Sequence, residues 1–235
     1  KSIGASTFTN DTEIYSTEYY LLSEDRPIRL KIIQGNLVNN KWQFEDNFPF
    51  NSDQYSVAHP TFTSSGDTIY FASDMPSGFG GMDLYYSILN NGNWLKPVNL
   101  GHTVNTEGHE VFPFYHPSTN KLYFSSDGQF PNRGGLDIYY TKLGFIKPNV
   151  IHLDVPLNTR FDDHGLTLNE AGTFGYFSSN RAGGVGRDDI YAVRIKQVNF
   201  QITIADKETL GLIGNAKLRA SNFILKTNDF GKTSI

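Results

Sequence analysis

The sequence predicts an all-β fold: a β-propeller of four-stranded blades, followed by the first strands of a small β-sandwich. Three observations predict it. Aromatic residues make up 14% of the 235 positions, with 22 glycines and only two methionines; tyrosine and phenylalanine favour strands, and glycine favours the turns between them. No segment keeps a 3.6-residue apolar period for three turns, so helices are not expected. Most telling, the chain repeats itself. Its Ser-Asp or Ser-Asn mark recurs at Asp74, Asp127 and Asn180, 53 residues apart each time. A second acid recurs at Asp83, Asp137 and Asp189, and an Asn-Ser or Asn-Thr pair at Asn51, Asn105 and Asn158, with the same period to within a residue.

Each repeat divides into four strands. The first is short and apolar ("HPTFT", "VFPFYH", "GLTLN"), and the second is aromatic ("TIYFAS", "KLYFSS", "FGYFSS"). The third is "MDLYYSI", "LDIYYTK" or "DDIYAVRI", and the fourth is the segment around Trp42 or Trp94. Turn sequences such as "SSGD", "STN" and "NNGN" separate them. Four strands at such a period are the signature of a propeller blade, which needs neighbours to bury its faces. A weaker copy leads the chain, with "STFTNDTEIYS" in place of "PTFTSSGDTIYFAS" and the polar "TEYYLLSEDRPIRL" in place of the glycine loop. Four repeats nearly exhaust the chain. Rings of four are uncommon, so further blades are expected upstream of Lys1. The predicted domains are a propeller over 1–195 and the N-terminal part of a sandwich over 196–235. In the latter, apolar residues alternate at Val198, Phe200, Ile202 and Ile204 before a turn at "DKETLG".

Composition also excludes functions. Net charge is −4, without the clustered Lys and Arg that nucleic acid requires. No apolar run reaches 18 residues, so no transmembrane segment is expected. There is no cysteine, which removes disulfides, redox thiols and thiolate metal sites. No signal peptide heads the chain, whose first residue is Lys1; a processed or trimmed piece is expected.

The loops between second and third strands hold the candidate chemistry: Gly78, Gly80, Gly81 and Asp83; Gly134, Gly135 and Asp137; Gly183, Gly184, Gly186 and Asp189. A phosphate cradle does not fit, because the loops run from strand to strand with no helix behind them. "GGVGRDDIY" fits a calcium-binding nonapeptide, but that motif works as tandem copies, and here there is one per blade. The leading acids Asp74 and Asp127 also become the neutral Asn180. The reading left is structural: glycines that permit positive φ in the hairpin, and aspartates that accept from loop N–H groups. No metal or other cofactor is expected. His109 and His116 fall on opposite faces of one strand; His59, His109 and His164 sit near equivalent points of their repeats and read as repeat features. Glycosidase chemistry would need facing carboxylates, for which Glu107, Glu110, Asp162 and Asp163 are candidates. The sialidase Asp box and the Gly-x-Ser-x-Gly elbow are absent. No catalytic residue is assigned. Phe79 and Phe130, aromatic residues of the loops, are candidate partner contacts.

The succession "PFNSDQYSVAHPTFTSSGDTIYFASDMPSGFGGMDLYY", "WLKPVNLGHTVNTEGHEVFPFYHPSTNKLYFSSDG", "GGLDIYY" and "GYFSSNRAGGVGRDDIYAV" resembles the WD-repeat-like propeller of Bacteroidota OmpA-family (PorE-like) proteins over about residues 5 to 195. The tail, with "DKETLGLIGNAKL" and "TNDFGKTS", resembles the start of a carboxypeptidase-regulatory-like domain. The resemblance implies a non-enzymatic periplasmic scaffold, lipid-anchored at the outer membrane in many members. Its partners would be an outer-membrane or periplasmic complex, such as the type IX secretion system, and peptidoglycan, gripped by a domain outside these residues. It also implies that Asp74, Asp83, Asp127, Asp137, Asp189 and their glycines are fold residues. The alternative is a glycan-binding or glycan-cleaving propeller; a third option is a calcium-stabilised one.

Overall fold

Short strands cut by polar turns are what the structure contains, as a computed structural model describing residues 2–20, 28–144, 149–195, 201–220, 223–226, 228–230 and 232–234. It divides into two compact units, Lys1–Ile195 and Lys196–Ile235. In the first, β1 (Ser2–Asn10), β2 (Glu13–Tyr20), β3 (Arg29–Val38) and β4 (Lys41–Glu45) form one sheet in that order. A second sheet holds β5 (Val57–Phe62), β6 (Thr68–Ser73) and β7 (Asp83–Asn90), with β8 (Asn93–Trp94) and β9 (Val98–Asn99) both pairing with β7. The third runs β10 (Glu110–His116), β11 (Lys121–Ser126), β12 (Asp137–Lys142), β13 (Val150–His152). The fourth has three strands among the described residues, β14 (Asp163–Leu168), β15 (Phe174–Ser179) and β16 (Asp189–Arg194). Every pairing is antiparallel. This is a four-blade propeller arrangement, and each blade is one sequence repeat. The Trp94 segment is a partial exception: the strand that pairs with Tyr85 and Tyr86 is β9, four residues on.

Alternation along the strands places the core between blades. Tyr15 and Ile32 of the first blade pack with Val57, Ile69, Phe71 and Tyr85 of the second, sealed by Phe48 and Phe50. Tyr70, Ala72 and Leu84 of the second meet Leu122, Phe124 and Tyr139 of the third. Tyr123 and Ile138 of the third meet Phe177 and Tyr191 of the fourth. Most of these side chains are under a tenth exposed, and fully burying one large apolar side chain is worth about 1.5–3 kcal/mol. Ring on ring, they account for the aromatic content that the sequence shows.

The innermost strands share a defect. Register slips between Ala58 and Thr61, Val111 and Phe114, and His164 and Thr167. The bulged residues His59, Phe112 and Gly165 have φ of 55°, 52° and 67°. A bulge sharpens strand twist, and here it recurs where three successive blades line one axis. Proline follows it in two blades, at Pro60 and Pro113, where an inner edge strand has no ladder bond to lose.

In the second unit, β17 (Gln201–Thr203) and β18 (Lys217–Ala220) pair with β20 (Lys232–Ser234) and β19 (Phe223–Lys226) respectively. The "DKETLG" turn is closed by Asp206, whose carboxylate accepts from Glu208 and Thr209. Val198 and Phe200 lie outside the described residues, as does half of the first repeat's polar segment (residues 21–27), whose flanks belong to β2 and β3.

Candidate functional site

Three sets of polar residues recur, and each can be followed from atom to atom. Asp83, Asp137 and Asp189 open the third strands. Asp83 Oδ2 accepts from Phe79 N–H at 2.7 Å, Asp137 Oδ2 from Arg133 N–H at 2.6 Å, and Asp189 Oδ2 from Val185 N–H at 2.9 Å. The outermost strand adds a second donor in two blades: Asn99 Nδ2 to Asp83 and His152 Nε2 to Asp137, both at 2.7 Å. The other carboxylate oxygens of Asp83 and Asp137 are buried without a protein partner.

Asp74, Asp127 and Asn180 begin the same loops and do a different job. Each accepts from the backbone N–H that leads into the first strand: Ser56 at 2.5 Å, His109 at 2.6 Å and Asp162 at 2.9 Å. An amide oxygen serves this purpose as well as a carboxylate, which explains the exchange at position 180. The facing side chain changes to match. His109 Nδ1 stands 3.3 Å from the Asp127 carboxylate, whereas Asn180 Nδ2 donates to the Asp162 carboxylate at 2.7 Å.

The glycines are present for a reason other than the expected one. Of Gly78, Gly80, Gly81, Gly134, Gly135, Gly183, Gly184 and Gly186, only Gly183 has a positive φ, +98°. Gly80 and Gly134 are instead required by space. A Cβ on Gly80 would collide with the backbone of Thr106 and Glu107, and one on Gly134 with that of Arg160 and Phe161. These loops lie directly on the connection that leads into the next blade.

The third set, Asn51, Asn105 and Asn158, was visible only as a period mark. Each amide grips one residue of the preceding blade's third strand by both backbone groups. Asn105 accepts from Leu84 N–H at 2.8 Å and donates to Leu84 C=O at 2.9 Å. Asn51 does the same to Ile32 and Asn158 to Ile138, all within 3.0 Å.

Three of the four candidate glycosidase acids are engaged in the same framework. Glu110 is fully buried and accepts from Thr106 N–H, Thr106 Oγ1 and Ser126 Oγ at 2.6–2.8 Å. Asp163, one repeat on, is equally buried and accepts from Thr159 and from Arg181. Asp162 accepts from Leu136 N–H at 2.9 Å, and Glu107 is exposed. Burial pushes the Glu110 carboxyl above its ordinary range, against its hydrogen bonds. The folded state therefore favours the protonated form. That stabilisation is complete below the unfolded value near 4.5 and fades as pH rises through the raised folded value. A Glu110→Gln variant should gain on wild type as pH rises from 4.5 to 7, with a flat difference below 4.5; urea midpoints across that range measure it.

The histidines also separate. His59, His109 and His164 are not repeat equivalents: His59 matches Phe112 and Gly165, His109 matches Asp162, and His164 matches Val111. His116 is buried, with its ring nitrogens at 2.9 Å from Thr119 Oγ1 and from Asn169 C=O. Among the described residues no three His, Asp or Glu side chains converge as a metal site would need.

A concave site also lies on the blade axis. Residues 5–8, 59–61, 112–114 and 165–167, from the inner strands of all four blades, line an axial pocket of about 260 Å³. On its wall His59 stacks on Phe112 at 3.9 Å between ring centres, and Phe112 on His164 at 4.8 Å. His59 Nδ1 accepts from Phe112 N–H at 3.3 Å, which leaves the ring proton on Nε2. Burial, then the nearby His164, push the His59 pKa down to about 3.

Blades around a shared axis define a β-propeller. No family model matches this chain, and no curated protein matches it. Solved structures do. TolB from Acinetobacter baumannii superposes with a TM-score of 0.50 at 14% identity, over 99% of this chain and 54% of TolB. A puromycin-hydrolyzing peptidase from Mycobacterium tuberculosis gives 0.50 at 14% identity, over 97% of this chain and 32% of the peptidase. The likeness is one of fold, and the chain spans about half of TolB's length and a third of the peptidase's.

Proposed function

We propose that this chain is a non-catalytic interaction module of the periplasm, within an OmpA-family protein that ties an outer-membrane complex to peptidoglycan through a domain outside these residues. One observation carries this reading. The repeated polar side chains of the loops are engaged in holding strands and blades together, while apolar side chains of the same loops face solvent. Phe79 is 48% exposed, Phe130 93% and Val185 101%. All three stand in loops between second and third strands, hence on one rim of successive blades. Rigid apolar anchors on a preformed scaffold are the usual core of a protein-docking surface. The periplasmic setting and the type IX secretion link rest on the motif resemblance, and the TolB-like fold agrees with such a module.

The test is capture from native envelope by the wild-type chain and by a Phe79→Ser, Phe130→Ser double variant. Wild type should retain an outer-membrane or periplasmic protein that the variant loses. Its stability should stay within about 0.5 kcal/mol, as exposed substitutions generally do. Equal capture by both, or none by wild type, removes the proposal.

A further inference from the structure

Each of the first three blades hides one sheet face beneath the blade that follows. The positions that do so recur: Tyr70 and Tyr123 are 7% and 6% exposed, and Leu84 and Ile138 are completely buried. One repeat later the same positions are Tyr176 and Ile190, and they are 50% and 76% exposed. Two further features change at the same place. Ile32, Leu84 and Ile138 are gripped by Asn51, Asn105 and Asn158; among the described residues no side chain grips Ile190. Gly80 and Gly134 press on the next blade's connection, whereas Gly184 and Gly186 meet only their own loop and the strand it leads into.

We propose that the outer face of the fourth blade is an interface whose occupant is another blade of this same repeat, in the same ring. The three interfaces already formed specify its chemistry. A covering blade brings a phenylalanine from its second strand and a tyrosine from its third, as Phe71 and Tyr85, Phe124 and Tyr139, and Phe177 and Tyr191 do. The connection ahead of it brings an apolar residue followed by asparagine, as in Phe50–Asn51, Val104–Asn105 and Leu157–Asn158. A second copy of this chain has no such connection to offer, because all three of its own are engaged. The exposed Tyr176 and Ile190 are thus the unfilled half of an interface that the molecule builds three times over.

The chain contains no cysteine, so Ile190→Cys and, separately, Tyr176→Cys each create a single thiol on a surface where folding is not at risk. Maleimide labelling is compared in this 235-residue chain and in the polypeptide as the cell makes it, with Val185→Cys as a fully exposed control. In the short chain, positions 190 and 176 should react like the control. In the cellular polypeptide, labelling at both should be lost while the control persists. Reaction at the control's rate in the cellular polypeptide overturns the proposal. Protection in the short chain that grows with its concentration also overturns it, because the occupant is then a second copy.

Discussion

Acidification from pH 6.5 towards 3 should unfold this propeller through His59 before its carboxylates are exhausted. The ring is 8% exposed, stacked on Phe112, and held neutral with its pKa at about 3. A base whose folded pKa lies below its unfolded value stabilises the fold above the unfolded value, near 6.5, and that stability is lost as pH falls towards the folded one. Each pH unit in the interval costs about 1.4 kcal/mol, so the whole interval is worth up to about 5 kcal/mol, comparable with the entire stability of many domains. His164 also stacks on Phe112, at 4.8 Å between ring centres, and its proximity is the second cause of the low His59 value. A His59→Asn variant keeps a residue suited to φ of 55° and removes the titrating ring. It should be less stable at pH 7 through lost stacking, yet lose much less between pH 6.5 and 4. Urea midpoints against pH give the comparison, and parallel curves for the two proteins would refute the assignment.

Asn105→Ala should be strongly destabilising. Asn105 is 1% exposed and holds Leu84 by both backbone groups, with a further bond to Asn99. Without it the Leu84 N–H is buried and unpaired, while the carbonyl keeps Leu100 N–H at 3.0 Å. An orphaned buried donor costs about 1–3 kcal/mol, and the lost amide contacts raise the total to roughly 2–4 kcal/mol. Asn105→Asp should not rescue, since a carboxylate keeps the acceptor but sets a second oxygen against the Leu84 carbonyl. The Leu84 amide should exchange with solvent much faster in both variants. An Asp variant as stable as wild type would show that only the acceptor matters.

The sequence displayed its strands well because each blade repeats the same alternation, and alternation follows directly from which face is buried. "TIYFAS", "KLYFSS" and "FGYFSS" are β6, β11 and β15 to the residue. Interactions between repeats were much less legible. Asn51, Asn105 and Asn158 were plain as marks, but their client lies some twenty residues back in another blade, where no local pattern points. The axial bulge was invisible because its three occupants are histidine, phenylalanine and glycine, which share a backbone angle and no chemistry. The loop glycines misled for a related reason. Glycine is read locally as freedom of φ, whereas Gly80 and Gly134 answer to a neighbour's backbone. Glu110 and Asp163 carried no sign of burial, since the serine, threonines and arginine that receive them are spread over two connections, a strand and a loop.

The asparagine grip also means that the unit of sequence and the unit of mechanics are out of phase. Each grip is written at the head of one repeat and acts on the repeat before it. A deletion or graft cut at a repeat boundary would carry the hook away with one fragment and leave its eye on the other. Blades of this protein should therefore be exchangeable only along a staggered seam, one that keeps every asparagine with the strand it holds.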